Sequence, residues 1–175
     1  MTDRPRNVLF LCMKNSARSI MAEALLRRYG GARFQALSAG TMPLGRLHPL
    51  TVKLLKQYDM ESPELRSKSW MEFTQPGAPQ IDVVITVCNR AANESCPVFP
   101  GAPLHAHWGI ENPDVRGLPD ALLWQRFQRA WQELDQRIHA MVALPVAELS
   151  TELLRKDLEM IGRSRLSWTE LAEAG

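Results

Sequence analysis

The most constraining feature of the sequence is a buried-strand pattern that leads through a short polar loop into a helix. The predicted strand Asn7–Leu11 is apolar from Val8 onward, without the alternation of a half-exposed strand. This pattern indicates a strand buried on both faces, as in a parallel sheet. After the loop, apolar residues at helical spacing predict a helix over Ser19–Arg28, ended by the pair Gly30-Gly31.

Strand and helix patterns then alternate along the chain. Further strands are predicted over Phe34–Ser38, Asp82–Val87 and Leu104–Trp108, and further helices over His48–Tyr58 and Asp120–Ala143. This alternation predicts an α/β fold with a parallel sheet flanked by helices. In such a sheet, ligands bind at the carboxyl ends of the strands, near the point where the strand order reverses.

The sequence after Pro145 predicts one more helix. Ser150 is a suitable N-cap, and apolar residues follow at roughly helical spacing before Gly162: Leu153, Leu154, Leu158 and Ile161. We expect one domain over residues 1–145 and a C-terminal helical extension over residues 146–175. The extension is expected to pack on the domain, and a partner-binding role for its helix is the alternative.

Composition excludes several classes of protein. The chain has 175 residues and a net charge of +2, with basic residues scattered rather than clustered. We therefore expect no nucleic-acid partner. The apolar stretch Val8–Leu11 is too short for a signal peptide or a membrane span, so we expect no membrane partner and a cytoplasmic location.

The chain has three cysteines, so they cannot all be paired in disulfides. In a reducing compartment, spaced cysteines indicate catalysis, redox chemistry or metal binding, and buried structural thiols are the alternative. Cys12 follows the first predicted strand and Cys88 follows the third. Because these strand ends are expected at the ligand-binding edge of the sheet, their placement favours a functional role.

The segment Cys12–Ser19 is expected to be an oxyanion-binding loop. A short loop between a strand and a helix directs backbone N–H groups inward, and the helix N-terminus adds positive potential. Arg18 is expected to clamp the anion with its planar guanidinium, and Cys12 to be a nucleophile with a lowered pKa, aided by the Ser19 hydroxyl. The predicted oxyanion-binding residues are Met13, Lys14, Asn15, Ser16, Ala17, Arg18 and Ser19.

At this point the sequence resembles a family. The matching segments are Val8-Leu-Phe-Leu-Cys12, Asn15-Ser16, Arg18-Ser19, Met21-Ala-Glu23, Ser38-Ala-Gly40, His48-Pro49, Val84-Ile-Thr-Val-Cys88, Cys96-Pro97 and His107-Trp-Gly109. They are similar to the low-molecular-weight protein tyrosine phosphatases and, more closely, to the thioredoxin-coupled arsenate reductases built on that fold. The resemblance covers roughly residues 7 to 145 and implies a three-layer fold around a four-stranded parallel sheet.

The resemblance implies a role for each cysteine. Cys12 would attack arsenate, Cys88 would displace arsenite by forming a disulfide with Cys12, and Cys96 would then attack Cys88. An external thiol reductant would reduce the Cys88–Cys96 disulfide. The resemblance implies thioredoxin for that step, and glutaredoxin or glutathione is the alternative. The substrate would be arsenate, with phosphate or sulfate as analogues.

The chain departs from the family at the general acid. The family has an Asp-Pro pair after His-Trp-Gly, whereas this chain reads Ile110-Glu-Asn-Pro-Asp114. Asn112 cannot donate a proton as an acid. Glu111 and Asp114 flank it and are the candidate substitutes, of which we expect Asp114. This departure weakens the reading as a phosphatase, because phosphate esters need a protonated leaving group.

The resemblance also implies a binding site for a potassium ion. Some relatives bind potassium through the equivalents of Asn15, Glu23 and Ser38, although Glu23 could instead be a surface residue. We expect no other cofactor.

Two alternatives to an arsenate reductase stay open. The protein could be a phosphatase acting on phosphotyrosine or small phosphate esters, or a non-enzymatic arsenite-binding or redox-sensing module. Zinc binding by the thiols with His105 and His107 is disfavoured, because the separations lack the short paired spacing of zinc sites.

Overall fold

The computed structural model describes residues 4–89 and 97–164. Its strands are β1 (Arg6–Cys12), β2 (Phe34–Gly40), β3 (Val83–Thr86) and β4 (Leu104–His107), and its helices are α1 (Arg18–Tyr29), α2 (Pro49–Gln57), α3 (Asp120–Val142) and α4 (Thr151–Arg163). The short 3-10 helices Gly31–Arg33 and Trp70–Thr74 complete the connections. The predicted strands and helices are all present, with ends that differ by one or two residues.

The four strands form one parallel sheet in the order β2-β1-β3-β4. The α/β fold with a four-stranded parallel sheet and flanking helices is therefore confirmed. The chain leaves β1 towards β2 on one side and later enters β3 on the other. The carboxyl end of β1, which is Cys12, consequently lies where the strand order reverses, which is the usual ligand-binding position in an open parallel sheet.

The two central strands of the sheet, β1 and β3, are buried on both faces. Alternate residues of β1 point to opposite sides, so Val8 and Phe10 join the larger core under the helices, while Leu9 and Leu11 join a smaller core on the other face. The 3-10 helix Trp70–Thr74 contributes Phe73 to that smaller core. This two-sided burial explains the uninterrupted apolar run in the sequence.

The C-terminal helix α4 packs directly on the edge strand β4. Ser150 caps it by accepting a hydrogen bond from the Leu153 N–H, as predicted. The indole N–H of Trp108 donates to the Leu158 carbonyl over 2.9 Å. A Cβ atom on Gly162 would lie 2.2 Å from the carbonyl oxygen of His107, so only glycine allows this close approach. The division at residue 145 stays a prediction.

Candidate active site

The loop between β1 and α1 is shaped by hydrogen bonds on its outer side. The carbonyls of Cys12, Met13 and Lys14 accept hydrogen bonds from N–H groups of the segment after β2, over 2.9 to 3.0 Å. The Ser16 carbonyl accepts two more, from the His48 N–H and the Thr51 hydroxyl. Each peptide plane is thereby fixed with its oxygen turned away from the loop centre.

Because the N–H of a trans peptide points opposite to its C=O, the same contacts turn loop N–H groups inward. The peptide after Lys14 shows this directly, since its N–H, carried by Asn15, donates to the Cys12 sulfur over 3.2 Å. Asn15 has a φ of 47°, in the left-handed region, which asparagine tolerates better than most residues. The loop is thus a concave array of donors that ends at the N-terminus of α1, an arrangement suited to a tetrahedral oxyanion.

Cys12 lies at the base of this array and is buried. Its sulfur is 2.9 Å from the Ser19 hydroxyl oxygen. Burial raises the pKa of the Cys12 thiol above its usual value, and this effect exceeds the lowering by the Ser19 and Asn15 hydrogen bonds and by the charge of Arg18. The prediction of a lowered pKa is therefore wrong, because the sequence does not reveal how completely this thiol is removed from water.

Arg18 begins helix α1 and forms part of the wall of the site. One nitrogen of its guanidinium donates to the Ile110 carbonyl over 2.8 Å. This contact ties Arg18 to the chain after β4 and orients the planar group. The remaining N–H groups of the fork are suited to hold two oxygens of an anion.

These groups open onto one cavity of about 640 Å³. Its lining residues are Cys12, Met13, Lys14, Ser16, Ala17, Arg18, Cys88, Asn89, Ile110, Glu111, Asn112, Asp114 and Arg116. Of the predicted oxyanion-binding residues, Asn15 and Ser19 lie behind the wall instead, with fully buried side chains that support Cys12.

Cys88 lines the same cavity as Cys12 and is also buried. The β1–β3 register pairs Leu11 with Thr86, so Cys88 continues past β3 beside the start of the loop. The two sulfurs are close enough that the charge of a Cys88 thiolate would raise the pKa of Cys12. The structure thus brings these two predicted cysteines together, while Cys96 lies outside the described residues.

The loop after β4 forms the opposite wall. Asn112 makes a local turn, in which its side-chain amide donates to the Asp114 carbonyl over 2.8 Å. Asp114 faces the oxyanion loop, with carboxylate oxygens 3.8 Å from both Lys14 Nζ and His48 Nε2. Glu111 instead pairs with Arg126 over 2.7 Å, and that hydrogen bond lowers the pKa of its carboxyl. Glu111 is thus engaged by Arg126, whereas Asp114 faces the loop that carries Cys12, so Asp114 is the better placed of the two carboxylates.

His48 faces the active site through Asp114, whereas the sequence indicated only a structural role for it. Its Nδ1 accepts the Leu50 N–H and so caps α2, and its ring stacks on Phe127 with centroids 4.5 Å apart. Neutral His48 must then carry its proton on Nε2, the atom that faces Asp114. The only sequence signal for this position was its place before Pro49.

Asn89 was also missed as a site residue. Its side-chain oxygen lies 3.2 Å from His107 Nε2, and His107 Nδ1 lies 2.7 Å from the Thr86 hydroxyl. This chain of contacts fixes the residue that follows Cys88.

Within residues 4–89 and 97–164, no group of three or more His, Cys, Asp or Glu side chains is placed to hold a metal ion.

The residues predicted for potassium binding form one buried cluster beneath the loop. The Asn15 side-chain amide donates to the hydroxyls of Ser19 and Ser38, and Ser38 donates to Glu23. Lys68, which the sequence did not single out, enters the same cluster from the segment before the 3-10 helix Trp70–Thr74. Glu23 is therefore a buried side chain, and not the surface residue considered as an alternative.

Comparison with known proteins places the chain in a family. The sequence profile described as low molecular weight phosphotyrosine protein phosphatase matches residues 7–156. The chain therefore belongs to this family.

Among the described residues, no helix is both long and apolar enough to cross a membrane.

Several of the similar proteins are named as arsenate reductases, and a tyrosine phosphatase of Escherichia coli shares the fold at 20% identity and a TM-score of 0.59. "Arsenate reductase 1" of Bacillus cereus is 32% identical over 136 residues, covering 78% of this chain and 93% of that protein. The arsenate reductase of Archaeoglobus fulgidus has 28% identity and a TM-score of 0.62 over 78% of this chain and 99% of its own. A thioredoxin-dependent arsenate reductase of Corynebacterium glutamicum has 26% identity and a TM-score of 0.56, and the match covers 79% of this chain and 61% of that one.

Proposed function

We propose that this protein reduces arsenate to arsenite, with Cys12 as the nucleophile and Cys88 as the thiol that releases the product. The observation that supports this most directly is the shared cavity: two buried cysteines from neighbouring strand ends lie around one oxyanion loop. A hydrolytic phosphatase needs only the first of them. Two similar proteins whose names state arsenate reduction support the same reaction.

In the first step, the loop N–H groups and Arg18 hold three arsenate oxygens, and Cys12 attacks arsenic. The pKa of the Cys12 thiol is raised by burial, so the thiol loses its proton as the oxyanion arrives. An arsenate oxygen is the base within reach. The thiol proton joins the leaving hydroxyl, water departs, and an S–As(V) bond replaces an As–O bond. This step balances without a separate acid, so the loss of the family's aspartate before Pro113 is tolerable.

In the second step, Cys88 attacks the Cys12 sulfur. The S–As bond breaks, and its electron pair goes to arsenic, which becomes As(III) and leaves as arsenite. The two thiols are oxidised to a Cys12–Cys88 disulfide, and the Cys88 proton passes to the departing arsenite. The reaction needs Cα atoms within about 7 Å, consistent with adjacent strand ends. Phosphorus does not accept the electron pair in this way, so the step is specific for arsenic.

Regeneration would use Cys96, followed by an external dithiol. Cys96 attacks Cys88, which frees Cys12 as a thiol and forms a Cys88–Cys96 disulfide. We propose thioredoxin as the reductant, because one similar structure is named as thioredoxin-dependent. Glutaredoxin with glutathione is the alternative donor.

The test is arsenate-dependent NADPH oxidation by the purified protein with thioredoxin and thioredoxin reductase. Cys88→Ser is expected to abolish turnover, with hydrolysis of p-nitrophenyl phosphate measured in parallel as a control for an intact oxyanion loop. Arsenate turnover that survives Cys88→Ser would contradict the proposal. Hydrolysis that exceeds arsenate reduction in the wild type would favour the phosphatase, and arsenite binding without turnover under any donor would favour a binding module.

A further inference from the structure

The buried cluster beneath the oxyanion loop contains a lysine at its centre. The Lys68 ammonium lies 3.6 Å from a Glu23 carboxylate oxygen, 3.4 Å from the Ser38 hydroxyl and 2.9 Å from the Arg66 carbonyl. Its side chain is 6% exposed and that of Glu23 is 1% exposed. Three oxygen atoms thus surround one positive charge in a site removed from water.

The polar groups around Lys68 do not fit an alkali-metal ion as the cluster stands. A hard cation needs oxygen atoms directed at it. The Asn15 side-chain oxygen instead accepts the Lys68 backbone N–H over 2.8 Å, and its NH₂ group faces the two serines. The remaining oxygens, from Glu23 and Ser38, already face the ammonium.

We propose that Lys68 is a built-in cation that takes the place of potassium beneath the oxyanion loop, so that the loop keeps its anion-binding shape without a bound alkali metal. Lys68 is a positioning residue, since it does not line the cavity around Cys12. It acts through Asn15, whose own N–H donates to the Cys12 sulfur and whose left-handed backbone gives the loop its turn.

The charges in the cluster explain why a cation is needed there. Burial raises the pKa of Glu23, and the positive charge of Lys68 is the largest effect that lowers it again. Arg27 reaches the other carboxylate oxygen over 3.2 Å, from a position that is partly exposed. Without Lys68, Arg27 would be the only cation among the described residues within ion-pair distance of the carboxylate, and the space left by the ammonium would admit a monovalent ion. A buried charge that loses a partner is strongly destabilised.

The test compares three proteins in potassium chloride and in tetramethylammonium chloride at equal ionic strength. Lys68→Ala removes the cation, and Lys56→Ala is the matched control on the exposed side of α2. The readouts are the melting temperature and the affinity for inorganic phosphate by calorimetry. Neither readout requires arsenate turnover. The inference rests on the proposed function only for the identity of the anion, so the inference and the proposed function can fail independently.

The wild type and Lys56→Ala are expected to behave alike in both salts. Lys68→Ala is expected to melt lower and to bind phosphate about 10-fold more weakly in tetramethylammonium, with both losses partly restored by potassium. A wild type that is itself stabilised selectively by potassium would overturn the proposal, as would a Lys68→Ala deficit that is identical in the two salts. If Lys68→Ala fails to fold, Lys68→Met keeps the packing of the side chain but removes its charge. Because its methyl group fills the space of the ammonium, it is expected to melt lower and to bind phosphate more weakly by the same amount in both salts, and a Lys68→Met protein that matches the wild type would overturn the proposal.

Discussion

The two walls of the active-site cavity are built in different ways. The oxyanion loop is fixed from behind by buried groups, with outward carbonyl contacts to the segment after β2 and a fully buried Asn15–Ser19–Ser38 cluster. The opposite wall, from Ile110 to Arg116, is held by exposed contacts: the Asn112 turn and the Arg126–Glu111 ion pair. The wall that binds the anion is therefore preorganised, whereas the wall that would supply protons rests on weaker interactions.

This difference explains how the chain tolerates Asn112. Anion binding depends on the buried wall, where a single change leaves polar groups unsatisfied. Proton supply depends on the exposed wall, and arsenate reduction as proposed balances without it. We expect substitutions in the two walls to have unequal effects, and the following experiments compare them in pairs.

The largest effect is expected from Arg18→Lys. A lysine ammonium cannot reproduce the planar fork or the contact with the Ile110 carbonyl, so kcat/KM for arsenate should fall by about 100-fold or more. Arg116→Lys is the control, since Arg116 lies in the same cavity on the exposed wall. Steady-state kinetics measure both, and equal losses for the two variants would contradict the assignment of Arg18.

The next effect concerns proton donation by Asp114. If Asp114 supplies the proton to a leaving alkoxide, Asp114→Asn should slow hydrolysis of a phosphate ester with a poor leaving group by about 100-fold. Arsenate reduction should change far less, because the Cys12 thiol provides its own proton. Glu111→Gln, which breaks the Arg126 pair, serves as the neighbouring control. Equal slowing of both reactions by Asp114→Asn would show that the carboxylate acts on the reductase step as well.

A smaller effect should separate two asparagines, one in each wall. Asn15→Ala removes three buried hydrogen bonds and places alanine at a φ of 47°, so the free energy of unfolding should fall by about 2 kcal/mol. Asn112→Ala removes exposed contacts only, and the loss should stay within about 0.5 kcal/mol. Denaturant unfolding measures both. Similar values would mean that the two walls are equally rigid.

The smallest effect concerns the pH dependence of Cys12. Since burial raises its pKa, the thiol stays protonated at neutral pH, and its alkylation rate should keep increasing as the pH rises through the range of an ordinary cysteine. Ser19→Ala removes a hydrogen bond that lowers this pKa, so it should move the profile to higher pH. Iodoacetamide labelling with peptide mapping of Cys12 gives the profile. A rate that levels off below neutral pH would contradict the raised pKa.

The sequence predicted the preorganised wall better than the exposed one. The features that were predicted correctly are local ones. The apolar residues of β1 are consecutive in the chain, and Asn15 bonds to Cys12, which lies three residues before it. The left-handed φ of Asn15 is likewise set by the short loop itself. The alternation of strands and helices likewise predicted the parallel sheet.

Other features depend on contacts between distant segments, and the sequence could not show them. Lys68 reaches Glu23 across 45 positions of the chain, and His48 reaches Asp114 across 66, through packing that no local pattern encodes. The pKa of Cys12 was misjudged for the same reason, since burial is set by the whole fold. The catalytic roles of Cys12, Arg18, Cys88, Cys96 and Asp114 stay predictions.

The central claim is that Cys12 and Cys88 act together on arsenic, and it is tested most directly by a single turnover of Cys96→Ser. With this variant, one equivalent of arsenate should release one equivalent of arsenite and leave a Cys12–Cys88 disulfide, detected by non-reducing peptide mapping. Release of arsenite without that disulfide, or the absence of arsenite while phosphate still binds to the loop, would contradict the account.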